Sequence, residues 1–306
     1  MLAYISHPAF FAHEAPKPHP ECARRLSVIE DQLRAAGLYD LLRHHEAPAA
    51  TKEQIMRVHS ARLINQLEDL SPSSGFVAID GDTFMNSRSL QAARHAAGAA
   101  CLATDLVVEG RSETAFCAVR PPGHHAERDR AMGFCLFNNV AVGVAHALDA
   151  HGIERVAVLD FDVHHGNGTE NIFAADERVL LCSTFQHPYY PLKGADTVSP
   201  HIVNIPLPAG TQGDAYRAVV SELWLPAIDD FKPQIFFVSA GFDAHAEDPL
   251  SDVLLDDDDY TWLTELIVTL AHRYARGRIV SCLEGGYALE ALGRCVRTHI
   301  RGLAGL

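Results

Sequence analysis

The sequence LDFDVHHGNG, residues 159–168, joins an apolar run to acids, histidines and glycines. The apolar part, RVAVLDFD (155–162), has no polar alternation, which is typical of a parallel strand buried on both faces. Period-two geometry would place the side chains of Asp160, Asp162 and His164 on one side of that strand. Because buried carboxylates repel each other and lose hydration, their proximity indicates a cation among them. The segment therefore predicts a strand that ends at a metal site.

Four more apolar runs of this kind are expected to form strands, at 115–119, 178–184, 234–240 and 278–284. Helical patterns lie around and between them, near 21–37, 52–70, 87–108, 138–151, 213–230, 257–275 and 287–304. This alternation predicts an α/β fold of three layers, in which a central, mostly parallel sheet is flanked by helices. Because no repeat, linker or break in charge marks a boundary, we expect a single domain over residues 1–306. Ligands of such folds bind at the carboxyl ends of the strands.

The composition restricts the classes of partner. A formal net charge of −14 argues against sequence-independent binding of nucleic acid, which needs a basic surface. Attraction of cationic substrates and simple solubility explain that charge equally well. No apolar run reaches the length of about 18 residues that a membrane span requires, and residues 1–11 lack the basic leader of a signal peptide, so we expect a cytoplasmic protein. The seven cysteines include no CxxC pair and are expected to be reduced thiols.

A third metal ligand is expected at the end of another strand. In QIFFVSAGFDAHAEDP (234–249) the apolar run ends at Ala240, Gly241 permits a tight turn, and Asp243 follows. Two carboxylates and one histidine would leave a tetrahedral zinc ion with an open position, which is typical of a catalytic site. Iron(II) or cobalt would fit the same ligands. His245 is expected at the rim of the site.

Two turns supply candidates for acid–base chemistry and for binding a developing negative charge. RPPGHH (120–125) follows an apolar strand and presents His124 and His125 together, where apolar surroundings would satisfy neither imidazole. LEGGYALE (283–290) places two glycines between a strand and Tyr287. A phenol at this position can donate a hydrogen bond to an oxyanion.

Five motifs in this order resemble one known family: RPPGHH, GFCLFNNVAV (133–142), LDFDVHHGNG, SAGFDAHAEDPL (239–250) and LEGGY (283–287). The sequence is similar to the histone deacetylase and acetylpolyamine amidohydrolase family, most of all to its class II and bacterial members. The resemblance extends from about His19 to the C-terminus. It implies an arginase-like α/β fold and the hydrolysis of an acylated amine, typically acetyl-lysine.

The resemblance implies which residues bind the metal and the substrate carbonyl. Asp162, His164 and Asp243 match the zinc ligands of the family, one ion per chain. Tyr287 matches the tyrosine that polarises the substrate carbonyl alongside zinc. The mechanism implied is direct hydrolysis by metal-activated water, without a covalent intermediate.

The resemblance also implies how the two histidines are divided. His125 matches the general base, and His124 matches its electrostatic partner, which also serves as the acid. Asp160 matches the carboxylate behind His124. Asn167 occupies the position behind His125, where class I members carry aspartate and class II members carry asparagine.

Structural potassium ions are a further implication. One site is matched, largely through backbone oxygens, by Asp160, Asp162, His164, Ser183 and Thr184. Part of a second, more distant site is matched by Phe173, Asp176 and Val179.

The substrate channel is implied to be lined by Gly133, Phe134 and Tyr190, the last at a position where most relatives carry phenylalanine. Asp82 matches the rim aspartate that binds the substrate backbone in peptide deacetylases. Leu250 occupies a gatekeeper position where a polyamine-selective relative carries glutamate, which favours lysine-type substrates. Arg25, in HPECARR (19–25), lies where the family has an arginine behind the active site.

Three alternatives stay open at this point. An acetylpolyamine or another small acylated amine is the alternative substrate to an acyl-lysine peptide. A two-metal arginase-type enzyme would need a further carboxylate, and the sequence has Gly166 after His164 and His165. A module that binds acylated ligands without cleaving them would be expected to lack one of the ligands or Tyr287. No pattern indicates the oligomeric state, so a homo-oligomer is also open.

Overall fold

The central feature of the protein is an eight-stranded parallel sheet, seen in a computed structural model that describes residues 1–306. The strands are β1 (Ala3–Ser6), β2 (Arg43–Glu46), β3 (Phe76–Ala78), β4 (Phe84–Asn86), β5 (Thr114–Cys117), β6 (Val156–Asp160), β7 (Val179–Gln186), β8 (Ile202–Leu207), β9 (Ile235–Ala240) and β10 (Ile279–Leu283). The sheet has the order β2-β1-β5-β10-β9-β6-β7-β8, and every neighbouring pair is parallel. Strands β3 and β4 form a separate antiparallel hairpin.

Helices cover the sheet and complete the predicted three-layer α/β architecture. They are α1 (Ala9–Ala12), α2 (Arg24–Ala35), α3 (Lys52–Met56), α4 (Ala61–Leu70), α5 (Ser89–Val108), α6 (Asn139–His151), α7 (Asn167–Phe173), α8 (Gly213–Phe231), α9 (Asp257–Tyr274) and α10 (Leu289–Leu303). Helices α5 and α6 pack against each other and on the sheet, whereas α10 packs between α2 and α9, with α8 beside α9. The fold class predicted from the sequence is confirmed.

The apolar character of the inner strands follows from their burial. Every residue of β5, β6, β7, β9 and β10 is buried, which explains why these strands show no polar alternation. Most of their hydrophobic side chains belong to one cluster of 87 buried hydrophobic residues. All five predicted strands are confirmed, with ends that differ by no more than a few residues. None of the helices combines the length and the apolar character needed to cross a bilayer.

The sequence analysis did not predict strands β1, β2 and β8 of the main sheet, the β3-β4 hairpin, the short helices α1 and α7, or one helix boundary. Strand β2 consists of the polar sequence RHHE and lies at one edge of the sheet, and β8 carries Pro206 at the other edge. The helix predicted over 52–70 is two helices, α3 and α4. Ser60 separates them, because it is extended and its side chain accepts a hydrogen bond from Leu63 N at the start of α4.

The strand that leads to the predicted metal site ends earlier than expected. β6 stops at Asp160, so Asp162 and His164 lie in the loop after it rather than on one face of a continuing strand. The expectation that period-two geometry aligns the three side chains was wrong. They converge instead because the loop folds back, with Asp162 N donating to Asp160 Oδ1 and His164 N donating to Asp162 Oδ1.

A buried histidine, His299, joins α9, β10 and α10, and its ring centre lies 5.9 Å from that of Phe161 in the same loop. Thr264 Oγ1 donates its hydrogen to Tyr260 O, so it accepts a hydrogen bond from the N–H of His299 Nδ1 at 2.8 Å. Ser281 Oγ lies 3.0 Å from His299 Nε2 and supplies the second hydrogen bond. Burial lowers the pKa of His299 to about 3, so the side chain is neutral in the folded protein.

The strand order explains where the functional residues meet. Strands β5, β10, β9 and β6 are consecutive neighbours in the sheet and run in the same direction. The segments that follow them are RPPGHH, EGGY, GFD and FDVHH. These four segments therefore emerge side by side at one edge of the sheet, as expected for a ligand site of a parallel sheet.

Candidate active site

The three predicted zinc ligands converge beyond the carboxyl ends of β6 and β9. His164 Nδ1 lies 3.0 Å from Asp162 Oδ1 and 3.1 Å from Asp243 Oδ2. Their ligand atoms all lie within 4.8 Å of one another, and no lysine or arginine pairs with either carboxylate. Burial, together with the Asp162 charge, raises the pKa of Asp243 to about 7. Two buried carboxylates and one imidazole, with no lysine or arginine beside them, form a donor set that fits a divalent cation.

Backbone amides hold the oxygens of these carboxylates in place. Gly285 N donates to Asp162 Oδ2 at 2.7 Å, and Val163 N donates to Asp243 Oδ1 at 3.0 Å. A Cβ atom at position 285 would lie 2.0 Å from Asp243 Oδ2 and 2.5 Å from Asp162 Oδ2. Glycine is therefore required at this position for the two carboxylates to approach each other.

The site offers three side-chain ligands and no fourth. Two other groups of metal-ligating side chains lie elsewhere, Asp105–His146–His151 and His245–Asp257–Cys295. An arginine adjoins each of them: Arg57 Nη1 is 3.0 Å from His146 Nδ1, and Arg294 Nε is 2.9 Å from Asp257 Oδ2. These guanidinium groups disfavour a cation there. The donor set of the site is that of a single metal ion, which disfavours the two-metal alternative.

The paired histidines lie beside the donor set and differ in their preferred charge. His124 Nδ1 is 3.1 Å from Asp160 Oδ2, and His125 Nδ1 is 2.8 Å from Asn167 Oδ1. Burial opposes protonation of His124, but the carboxylates of Asp162 and Asp160 outweigh this effect and raise its pKa to about 10. Burial and the adjacent His124 charge lower the pKa of His125 well below its ordinary value. His124 therefore prefers the cation, and His125 is a neutral base.

A buried carboxylate that the sequence analysis missed fixes the histidine turn. Glu284 Oε2 accepts hydrogen bonds from Gly123 N at 2.6 Å and from His124 N at 3.1 Å. Burial raises the pKa of Glu284 to about 7, although the charge of His124 acts in the opposite direction. The one signal in the sequence is an acid at the end of an apolar strand, immediately before two glycines.

Arg25 holds the turn that carries Tyr287. The buried guanidinium donates to Gly286 O and Glu284 O, and it lies 5.0 Å from the centre of the Tyr287 ring. On the other side, Asp248 Oδ2 accepts a hydrogen bond from Tyr287 N at 2.6 Å. Burial raises the pKa of Tyr287 well above its ordinary value, so the phenol keeps its proton.

A cavity of about 260 Å³ opens above these side chains. Its lining residues are Asp82, Pro122, His124, His125, Gly133, Phe134, His164, Tyr189, Tyr190, Leu250, Gly285 and Tyr287. All five residues that the resemblance implied for substrate binding are among them. Pro122, Tyr189 and Gly285 also line the cavity, although the sequence analysis gave them no role in substrate binding.

The predicted position of His245 is wrong. The side chain is buried, with Nε2 3.4 Å from Asp257 Oδ1, and it does not line the cavity. The backbone after Asp243 turns inward, because His245 pairs with Leu255 in an isolated bridge.

The cavity is narrow where the loop of Gly133 faces the general-base candidate. Gly133 has φ 57°, and a Cβ atom there would lie 2.5 Å from His125 Cδ2 and 2.9 Å from Tyr190 Oη. The Tyr190 hydroxyl is buried and has no hydrogen-bond partner. Position 133 thus requires glycine both for its left-handed backbone and for the close contact.

The residues matched to potassium sites lie in two separate places. At the first, Ser183 pairs with Asp160 between β7 and β6, and its buried hydroxyl has no partner within the protein. At the second, Phe173 O accepts from Asp176 N at 3.0 Å and Asp176 O accepts from Val179 N at 3.0 Å, which gives a tight turn between α7 and β7.

The fold and the donor set together define the arginase and deacetylase class of α/β proteins. Within that class, the chain matches the histone deacetylase domain over residues 19–303. The chain belongs to the histone deacetylase family of hydrolases.

Relatives with similar sequences and structures support this assignment. A probable deacetylase of Archaeoglobus fulgidus is 38% identical over 94% of this chain and 81% of its own length. A histone deacetylase-like amidohydrolase of Pseudomonas aeruginosa is 38% identical over 94% of this chain and 76% of its own length. The crystal structure of the HDA15 HD domain is similar with a TM-score of 0.92 and 32% identity, covering 99% of this chain and 88% of that domain.

Proposed function

We propose that the protein is a zinc-dependent amidohydrolase that removes acetyl or other acyl groups from lysine side chains or related amines. One observation carries the proposal. The buried donors Asp162, His164 and Asp243 lie together, and His164 lines the cavity next to the neutral imidazole of His125. A divalent cation and a base in contact with one small cavity are the parts that hydrolysis of an amide by water requires.

Each group near the cation would have a separate task. When bound by Asp162, His164 and Asp243, zinc supplies Lewis acidity to water and to a carbonyl oxygen. His125 accepts a proton from the attacking water, because its imidazole is neutral and lines the cavity. The protonated phenol of Tyr287 donates a hydrogen bond to the carbonyl oxygen as negative charge develops there.

His124 would complete the reaction by holding a proton near the leaving amine. The carboxylates of Asp162 and Asp160 favour its protonated form against the effect of burial, and its Nδ1 is engaged by Asp160. Transfer of that proton to the nitrogen releases the free amine and the carboxylic acid. The positive charge of protonated His124, beside His125, also stabilises the negative charge of the tetrahedral state.

The residues at the mouth of the cavity favour a cationic or peptide-linked amine. Asp82 lines the cavity beside Asp80, and burial together with this neighbour raises the pKa of Asp82. The formal net charge of −14 adds a general attraction for cations. We therefore infer an acyl-lysine peptide as substrate, with an acetylpolyamine or other small acylated amine as the alternative. Leu250 at the cavity wall favours the peptide, because it offers no charge to a second ammonium group.

We also infer a potassium ion at the first of the two matched sites. The buried, unpartnered Ser183 hydroxyl beside Asp160 supports it, since a buried oxygen without a hydrogen bond is costly unless a cation binds it.

The experiment that tests the proposal combines metal content with a substrate panel. Purified protein is assayed for bound zinc and for hydrolysis of acetyl-lysine peptides, longer acyl-lysine peptides and acetylated polyamines. Asp162→Ala serves as the variant, and Asp149→Ala, a half-exposed carboxylate on α6 that pairs with Arg57, serves as the matched control. We expect one zinc ion per chain, and activity that Asp162→Ala abolishes and the control keeps. Purified protein that binds no divalent metal would contradict the proposal.

A further inference from the structure

The carboxylate of Glu127 closes a hydrogen-bonded chain that starts at the general-base candidate. His125 Nδ1 is 2.8 Å from Asn167 Oδ1, and Asn167 Nδ2 donates to Glu127 Oε1 at 2.7 Å. Lys193 Nζ donates to the same Glu127 oxygen at 2.6 Å. No part of the proposed reaction uses Glu127, and it does not line the cavity.

The surroundings of Asn167 determine which way its amide points. Three acceptors face Nδ2: the carboxylate of Glu127, His125 O at 3.4 Å and Met132 Sδ at 3.4 Å. None of them can donate a hydrogen, so the amide must place its NH₂ group there. Oδ1 then faces His125, and an amide oxygen accepts only. His125 Nδ1 must therefore carry the proton, which leaves the lone pair on Nε2.

The backbone of Glu127 is held rigidly enough to aim its side chain. Glu127 N donates to Arg130 O at 2.8 Å, and Glu127 O accepts from His59 Nδ1 at 3.0 Å. His59 Nε2 accepts from Asn138 N at 2.8 Å, so Nδ1 is the protonated nitrogen of that ring. The side chain of Glu127 is 14% exposed, whereas that of Lys193 is 50% exposed. Glu127 is thus the structural end of the chain of hydrogen bonds, and Lys193 is a solvated contact to it.

We propose that Glu127 is a positioning residue that orients the Asn167 amide and thereby selects the Nε2 base form of His125. The carboxylate of Glu127 also explains why this chain carries asparagine at 167. An aspartate there would direct its second oxygen at the Glu127 carboxylate, the His125 carbonyl and a thioether, and these groups give it no hydrogen bond. The inference rests on the proposed function only in that His125 is the base.

Single substitutions of Glu127 give the first test of this pairing. Glu127→Ala removes the acceptor, and we expect kcat to fall about tenfold with KM within about twofold, the scale typical of groups that orient an active-site histidine. Glu127→Gln keeps an acceptor oxygen and is expected to retain kcat within about threefold. Glu177→Ala is the matched control, because Glu177 is exposed and the substitution changes the net charge equally.

The exchanged pair provides the sharper comparison. Asn167→Asp alone sets two carboxylates against each other and is expected to lower kcat about tenfold or more. In the Glu127→Gln background the new carboxylate accepts a hydrogen bond from the glutamine NH₂, so the same substitution is expected to cost less than about threefold. Equal losses from Asn167→Asp in the two backgrounds would overturn the proposal.

A spectroscopic readout separates this inference from the proposed function. Proton–nitrogen spectra of ¹⁵N-histidine-labelled, zinc-loaded protein report which ring nitrogen carries the proton, and His125→Ala identifies the relevant signals. We expect a protonated Nδ1 in the unsubstituted protein and a mixture of the two tautomers in Glu127→Ala. An unchanged tautomer in Glu127→Ala, with normal amide hydrolysis, would refute the role of Glu127 alone. A shifted tautomer in a protein that hydrolyses no amide would support that role and refute the proposed function.

Discussion

Replacing Tyr287 by phenylalanine removes one oxygen atom from the cavity and leaves the packing of the ring intact. The ring lies edge-on to Phe134 with 5.9 Å between centres, and the Arg25 guanidinium lies 5.0 Å from its centre. Phenylalanine preserves both contacts. Because burial keeps the phenol protonated, the substitution removes a neutral hydrogen-bond donor and no charge.

The expected loss follows from the role of a single oxyanion donor. Such a donor contributes on the order of 10²–10³ in kcat, or about 2.7–4 kcal/mol. We expect Tyr287→Phe to lower kcat on an acetyl-lysine peptide by that factor while KM changes only severalfold, since the donor acts mainly on the transition state. Thermal unfolding should be nearly unchanged, because the ring contacts persist. Steady-state kinetics and calorimetry on the zinc-loaded protein measure both quantities.

The cavity contains a second phenol that serves as the control. The hydroxyl of Tyr190 is buried without a hydrogen-bond partner, so Tyr190→Phe removes an unsatisfied polar group. We expect kcat within about threefold and a stability equal to or about 1 kcal/mol above the starting protein. If Tyr287→Phe keeps more than a third of the activity, or if Tyr190→Phe loses as much as Tyr287→Phe, the assignment of the oxyanion donor is wrong.

Three further predictions follow from the metal site and from the buried histidine. Gly285→Ala forces a Cβ atom against Asp162 and Asp243, so we expect the affinity for zinc to fall about 10–100-fold. A competition titration with a chromogenic chelator measures this affinity. Gly81→Ala is the control and should leave it unchanged, because no atom lies within 4 Å of the new Cβ. Zinc at about 1,000 times its Kd should stabilise the metal-free protein by about 4 kcal/mol and raise Tm by about 6 °C; an unchanged Tm would argue against a metal site. His299, with its pKa lowered from 6.5 to about 3, stays neutral in the folded state while the unfolded chain takes up a proton below pH 6.5. Stability is therefore lost as the pH falls through this window, by about 2 kcal/mol between pH 7 and pH 5, and urea unfolding of His299→Gln should lack this part of the slope.

The inner strands and the residues that end them were predictable for one physical reason. A strand buried on both faces must be apolar throughout, so a polar residue at its end stands out. Asp243, His124 and Tyr287 each follow such a strand, and the parallel sheet brings their positions together. The residue types of the candidate site could therefore be predicted before the order of the strands was known.

Other elements carried no comparable signal. Strand β2 is polar because it lies at the edge, and its pairing with β1 rather than its composition makes it a strand. Glu284 is distinguished by its contact with the turn of Gly123 and His124, and only the tertiary structure brings these segments together. The role of Glu127 could not be predicted either. Its place two positions after His125 indicates no function until its hydrogen bond to Asn167 is known.

The position of β10 has a consequence for how the protein is made. This strand follows all the others in the sequence, yet it is the one that pairs β5 with β9. Until residues 279–283 leave the ribosome, the nascent chain can form two partial sheets, β2-β1-β5 and β9-β6-β7-β8, whose facing edges are unpaired. Unpaired edges invite association between chains. Translation that stops before residue 279 should therefore yield an inactive, aggregation-prone product, although the three proposed zinc ligands have already been synthesised.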